Sequence, residues 1–371
     1  MTKNASKRIA AFSIPKLAAL KRGAVLKALF LFAFILSGCA SRPPASLIPI
    51  DGAVPQSKTV SMLTVSTRER SDELGFVYGG KRTLGPPEIA LVEVMIPPTH
   101  IKGEVEWAKQ VPPDPSKDFS VRSISFSSEE ESRGWFASLH ANGKLLIFVH
   151  GFNVRYSDAV FRLAQIVTDL DVRAAPILFS WPSRGKLFSY LYDKDSATYS
   201  RDALENLLNR SAAAPEVKDI VVLAHSMGTW LTMEALRQSA IRNHGLSAKI
   251  SNVILAAPDI DTFVFAQQYE ALGADKPQFT LLVSRDDRAL KLSRLLAGGI
   301  DRVGIARTDN PTAAAWLDQN PNVRIIDLSD LAIAKGGSAH AKFAETPGAL
   351  EILNLTLRTA VDGHDADEAD N

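Results

Sequence analysis

After Lys144 the chain alternates short, largely apolar runs with amphipathic stretches, and this narrows the folds open to it more than any other feature. The apolar runs are Leu145–Val149, Ile177–Trp181, Ile220–Ala224, Val253–Ala257, Phe279–Ser284 and Val323–Leu328. Between them, Ser157–Leu170, Asp202–Asn209, Met227–Gln238, Thr262–Leu272, Ala289–Leu296 and Gly348–Thr359 carry helical periodicity. A strand that is apolar at every position is buried on both faces. The pattern therefore predicts an α/β fold, a mostly parallel central sheet with helices on both faces. Upstream, Val60–Thr67, Ala90–Ile96 and Val121–Phe126 read as strands separated by Pro97-Pro98 and Pro112-Pro113-Asp114-Pro115. They predict a β-rich, antiparallel N-terminal edge. With 371 residues and 46% hydrophobic content, residues 59–361 can form one domain with a substantial core, followed by an acidic, disordered tail over 362–371.

The first 38 residues have a different grammar. Lys3, Lys7, Arg8, Lys16, Lys21, Arg22 and Lys27 precede the apolar run Ala28–Leu36 and then Ser37-Gly38-Cys39-Ala40. A basic start, a short apolar stretch and small residues describe an export signal; about 20 apolar residues would be needed to span a bilayer. Leu36-Ser37-Gly38-Cys39 resembles the lipobox of bacterial lipoproteins and holds the chain's only cysteine. That resemblance implies that residues 1–38 are a signal peptide and that Cys39 is lipidated. Ala40 after it implies the outer membrane, facing the periplasm. Residues 39–58, rich in Pro, Ser and Ala, read as a flexible tether. No second cysteine exists to form an intrachain disulfide, and a net charge of +1 gives no electrostatic reason to expect a nucleic-acid partner.

Chemistry is carried by Val221-Val222-Leu223-Ala224-His225-Ser226-Met227-Gly228, a buried strand running into small-His-Ser-x-Gly and then a helix. This is the pattern of a nucleophile elbow, the strained strand-to-helix turn of the α/β-hydrolase fold, with Ala224 where glycine is usual and Ser226 as nucleophile. Small residues are needed two before and two after the serine because strand and helix backbones approach closely there. A second strand, Leu145–Val149, ends in His150-Gly151-Phe152. In this fold the loop after such a strand and the residue after the nucleophile supply the oxyanion hole, which assigns the N–H groups of Phe152 and Met227. Such a donor contributes about 3–4 kcal/mol to lowering the barrier. His150 at the strand end reads as structural.

The fold's chain order is Ser, then an acid, then His. Of the seven histidines only His244, His340 and His364 follow Ser226. His364 falls in the acidic tail and His244 in a polar helix end, which leaves His340, between the last strand and the last helix, as base. For the acid, Asp287 follows the strand Thr280–Val283 and is preferred, with Asp286, Asp259 and Asp261 as alternatives. Trp181, Phe188, Tyr190 and Tyr192 read equally as an acyl pocket or as loop packing. Asp193, Lys194 and Asp195 read as a solvated helix start, and no metal or cofactor is expected.

His150-Gly151-Phe152-Asn153, Phe179-Ser180-Trp181-Pro182-Ser183-Arg184-Gly185 and Tyr190-Leu191-Tyr192-Asp193 stand in one chain with the elbow, Ala256-Ala257-Pro258-Asp259-Ile260-Asp261 and Ser284-Arg285-Asp286-Asp287-Arg288-Ala289-Leu290. Together they resemble an uncharacterised bacterial α/β-hydrolase family, the domain of unknown function numbered nine hundred, over roughly residues 60–355. The resemblance implies the fold and a serine-hydrolase triad and no particular substrate. The expected chemistry is cleavage of an ester or related acyl bond of a small molecule or lipid through an acyl-enzyme. An acyltransferase on the same triad, or an inactive envelope-anchored binding module, are the alternatives.

Overall fold

The computed structural model describes residues 47–51, 54–137, 143–306 and 311–369. In chain order the elements are β1 (Lys58–Ser66), β2 (Arg68–Arg70), β3 (Tyr78–Arg82), β4 (Glu88–Ile96), β5 (Ser120–Ser127), α1 (Glu129–Ala137), β6 (Lys144–Val149), α2 (Tyr156–Asp169) and β7 (Ala175–Ser180). Then come α3 (Tyr190–Tyr199), α4 (Arg201–Ala213), β8 (Asp219–His225), α5 (Met227–Asn243), β9 (Ile250–Ala256), α6 (Thr262–Glu270) and β10 (Gln278–Val283). The chain closes with α7 (Arg288–Leu296), α8 (Pro311–Gln319), β11 (Val323–Asp327), α9 (Lys342–Glu345) and α10 (Pro347–Ala369).

A 9-stranded sheet runs in the order β11-β10-β9-β8-β6-β7-β1-β4-β5. Its pairs from β11 to β1 are parallel, while β4 is antiparallel to both β1 and β5. The apolar runs are explained by what covers each face. Leu146, Phe148, Val221 and Leu223 pack with Val160, Phe161 and Leu163 of α2 and Leu353 of α10. Their alternating neighbours Leu145, Ile147, Val149, Ile220, Val222 and Ala224 pack with Leu204 and Leu208 of α4 and Leu231 of α5. Full burial of such a side chain contributes about 1.5–3 kcal/mol, so two covered faces require apolar residues at every position.

β6 is the point where strand order reverses: β7 lies on one side of it and β8 on the other. Loops leaving β6 and β8 therefore part company at the carboxyl edge and open a crevice, the usual ligand site of such sheets. Both loops carry the residues singled out from the sequence.

Three features differ from the sequence expectations. The flexible tether ends earlier than residue 58: Leu47 is buried, its N–H bonds Gly75 O at 2.9 Å, and Ile50 N–H bonds Val121 O at 2.9 Å. The Leu47-Ile48-Pro49-Ile50 run supplies the apolar side chains that hold it there. The β2–β3 hairpin and helices α1, α8 and α9 were not foreseen, and α3 was foreseen only as a helix start at Asp193–Asp195. α10 runs to Ala369, so helical backbone extends into the acidic segment expected to be disordered, propagated from the packed first turns of the helix. Cys39 and the signal segment lie outside the described residues.

Candidate active site

Ser226 sits at the turn between β8 and α5 with φ 52° and ψ −124°, a conformation that costs a non-glycine residue roughly 1–3 kcal/mol. The turn is held from all sides. Ser226 N–H bonds Ala256 O at 2.9 Å, and Thr229 donates to Ser226 O through both its N–H (2.9 Å) and its hydroxyl (2.6 Å). The spacing demanded by the elbow is visible at its glycine: a Cβ on Gly228 would run into the carbonyl oxygens of Val149 and His150. Gly151 is equally constrained, since a Cβ there would lie 2.9 Å from the Ser226 Cβ. The His-Gly loop is thus pressed onto the serine. Ala224, where glycine is usual, is completely buried between its β6 and β9 partners Val149 and Leu255 without displacing them.

His340 lies in a 3-10 turn, Ala339–Ala341, whose start is capped by the Ser338 hydroxyl accepting from Ala341 N–H. Its Nδ1 meets Asp287 Oδ2 at 2.7 Å. Asp287 is fully buried and caps α7, its other oxygen accepting from Leu290 N–H at 3.0 Å. Burial pulls the His340 imidazole down, but the Asp287 carboxylate and its hydrogen bond outweigh it and leave the pKa above its ordinary value. Asp286, one residue earlier, turns instead to the buried Lys342 ammonium at 2.9 Å and to the Ser284 hydroxyl. Lys342 also donates to the carbonyls of Leu328 and Ser329 at 3.1 Å each, so it clamps the His340 turn to the ends of β10 and β11.

Sequence reasoning missed His225. Its Nε2–H donates to His340 O at 3.0 Å and the two rings stand 4.7 Å apart, so the residue before Ser226 anchors the backbone of His340. Burial, followed by the neighbouring His340 charge, holds His225 well below its ordinary pKa and therefore neutral. The signal was its position beside Ser226 in the elbow itself. Among the described residues the Ser226 hydroxyl makes no hydrogen bond.

The structure orients the loop of Phe152 through His150. Burial, with the Arg68 charge second, lowers the His150 pKa to about 3, so the ring is neutral. Arg68 Nη2 donates to its Nε2 at 3.2 Å, which leaves the proton on Nδ1 to bond Gly151 O at 2.9 Å. In a planar trans peptide the Phe152 N–H points opposite to that carbonyl. Among the described residues neither the Phe152 nor the Met227 N–H has an acceptor. The remaining candidates fall elsewhere. Asp261 caps α6, accepting from Phe263 and Val264 N–H. Asp259 joins a buried knot with the Tyr190 hydroxyl (3.0 Å), the Ser293 hydroxyl (2.6 Å) and Arg302 (3.3 Å).

The aromatic stretch divides. Trp181 is fully buried, stacks on His150 and donates to its carbonyl at 2.8 Å. Tyr192 packs its own loop, under Arg184 and donating to Gly80 O. Tyr190 alone reaches the site, its ring 5.4 Å from Phe152. Asp193 corrects the expectation of a solvated helix start: it is buried and accepts from the Ser183 hydroxyl and Arg184 N–H, because the loop after β7 needs a carboxylate to close it.

A parallel sheet with its crevice at the β6/β8 switch, an elbow serine and a buried Asp–His pair define an α/β-hydrolase. Residues 128–357 match the family described as alpha/beta hydrolase of unknown function (DUF900), and the chain belongs to it. An uncharacterised protein of Nostoc, alr1448, is 43% identical over 137 residues, which are 30% of this chain and 35% of that one. The chain thus spans about a third of the length of the curated relative it matches. Among solved structures, an esterase from Rhizomucor miehei is 12% identical with a TM-score of 0.36, over 95% of this chain and 94% of that one. Est1E from Butyrivibrio proteoclasticus is 11% identical with a TM-score of 0.36, over 61% and 90%. A putative hydrolase from Agrobacterium vitis is 10% identical with a TM-score of 0.37, over 82% and 99%.

Proposed function

We propose that the chain is a serine hydrolase that cleaves an ester or related acyl bond through an acyl-enzyme. The observation that supports this reading is a strained Ser226 whose neighbour His225 packs its ring 4.7 Å from that of His340, the histidine bonded to buried Asp287. His340 takes the Ser226 proton as the oxygen attacks the acyl carbon, and Asp287 holds the imidazole in the right tautomer and stabilises the imidazolium. The Phe152 and Met227 N–H groups receive the oxyanion. His340 then hands its proton to the leaving alcohol, and water, activated in the same way, releases the acid and frees the serine. Lipidation at Cys39 and an envelope location complete the proposal; they rest on the lipobox-like Leu-Ser-Gly-Cys sequence.

Fluorophosphonate labelling of the full chain tests the chemistry, beside Ser226→Ala and His340→Ala. Labelling of the parent chain and its loss in both variants is the expected result. A folded parent chain that takes no label would overturn the reading.

A further inference from the structure

Around the Tyr190–Asp259–Ser293–Arg302 knot the surface is apolar and cationic. Phe188 and Leu191 flank Tyr190, Leu295 and Leu296 follow Ser293, and Ile300 precedes Arg302. Phe263 follows Asp261, whose backbone bridges to Arg302. All six side chains thus lie within a few residues of a group in that knot. Phe188, Leu191, Phe263 and Leu295 are 80%, 77%, 81% and 72% exposed, bare rather than partly covered. A cluster of this kind beside a site marks an interaction surface, not ordinary scatter.

Its charges say what the surface fits. On α7, Arg288, Lys291 and Leu295 share one face at i, i+3 and i+7, while Leu290 and Ser293 turn inward. Lys186 stands two residues before Phe188. Lys186, Arg288 and Lys291 are exposed and make no ion pair with a described residue; Asp301 is neutralised by Arg294 at 2.8 Å, and exposed Asp195, four residues past Leu191, is a lone acid against these three cations. Apolar side chains interleaved with free cations match an anionic bilayer. The apolar groups enter the boundary between headgroups and acyl chains, and the cations meet the phosphates.

We propose that this rim docks the catalytic edge onto an anionic bilayer surface, so that Ser226 meets acyl groups presented by membrane lipid. The substrate class rests on the serine-hydrolase reading; the docking does not. α7 links the two, since the Asp287 that caps it is the partner of His340 while its exposed face carries Leu295.

The chain has a single cysteine, so Cys39→Ser followed by Leu295→Cys or Leu191→Cys gives one attachment point for an environment-sensitive fluorophore. Ile241→Cys, near the far end of α5 at the opposite edge of the sheet, serves as control and reports any binding through the N-terminal apolar segment alone. With phosphatidylglycerol vesicles the expected result is a blue shift and a rise of about two-fold or more at Leu295 and Leu191, none at Ile241, and weakening at high salt. No rise at the rim, an equal rise at Ile241, or an equal response to neutral phosphatidylcholine vesicles would overturn the assignment. A rise without vesicles that grows with protein concentration would overturn it in favour of a second copy of the chain. Fluorophosphonate labelling of the same variants separates the two ideas: a rim response without labelling keeps the docking and sinks the hydrolase, and labelling without a rim response does the reverse.

Discussion

Two adjacent carboxylates leave the end of β10 and are drawn to different partners, Asp286 to Lys342 at 2.9 Å and Asp287 to the His340 imidazole at 2.7 Å. The division predicts opposite phenotypes. Asp287→Asn keeps the side-chain oxygen that caps α7 but removes the charge that fixes the imidazole, so kcat is expected to fall by about 10⁴-fold with little change in KM. Asp286→Asn leaves catalysis within about ten-fold and instead lowers stability by ~1–3 kcal/mol, since the buried Lys342 loses its carboxylate. Steady-state kinetics on a chromogenic ester and urea melts of both variants separate the two. The pH profile follows from the same pair. Burial lowers the His340 pKa and Asp287 more than restores it, above the ordinary 6.5. Only the neutral imidazole accepts the serine proton, so kcat/KM should fall on the acid side through a pKa above 6.5. In the residual activity of Asp287→Asn that limb moves to lower pH; an unmoved limb would mean that another group titrates there.

At the scale of elements, the loops around the serine are tied together by Arg68, at the start of β2. Its guanidinium donates to Ser180 Oγ (2.9 Å), Gly79 O (3.0 Å), Ser183 O (2.7 Å), Val154 O (2.9 Å) and His150 Nε2 (3.2 Å). Burial lowers its pKa to about 10, so it remains charged at neutral pH. Lysine presents a point charge with three donors where a planar fork spans five acceptors, so Arg68→Lys should cost about 3 kcal/mol in urea unfolding and slow Ser226 labelling. No sequence pattern announced this hub. β2 is Arg-Glu-Arg, three residues that look solvent-facing until the hairpin folds the first of them under the loops after β6 and β7. The extent and burial of α3 were hidden for a related reason: beyond the helix start read at Asp193–Asp195, it buries Asp193, Ser196 and Ala197, small or polar groups that leave no apolar period. The parallel strands were legible because burial on both faces writes itself as an unbroken apolar run. The elbow was legible because close backbone approach excludes side chains at Gly228, and the Asp-bonded histidine because fold order puts a histidine after the last strand. The carboxylate partner of His340 was harder, since Asp286 and Asp287 differ only in which way a tight loop turns them.

At the scale of the whole molecule, histidines buried neutral and histidines buried charged set opposite limits on stability. His150 and His225 line the β6/β8 switch, and both have folded pKa values below the unfolded 6.5, about 3 for His150. As pH falls below 6.5 the unfolded chain binds protons that the native sites refuse, so their contribution is full above 6.5 and is lost as the pH falls further, for His150 down through about 3. His100, at the start of the long β4–β5 connection, works the other way. Burial lowers its pKa, but hydrogen bonds to Asp169 and Glu106 and their charges raise it to about 9. Its contribution is full below 6.5 and is lost as pH rises through 9. The histidines together predict a stability maximum near neutrality, falling on both sides. Urea midpoints at pH 5, 7 and 9 measure the curve, and two variants assign its limbs: His150→Gln should flatten the acid side and His100→Gln the alkaline side. A variant that lowers all three midpoints equally would show that its histidine serves packing alone, and that the limb belongs to other groups.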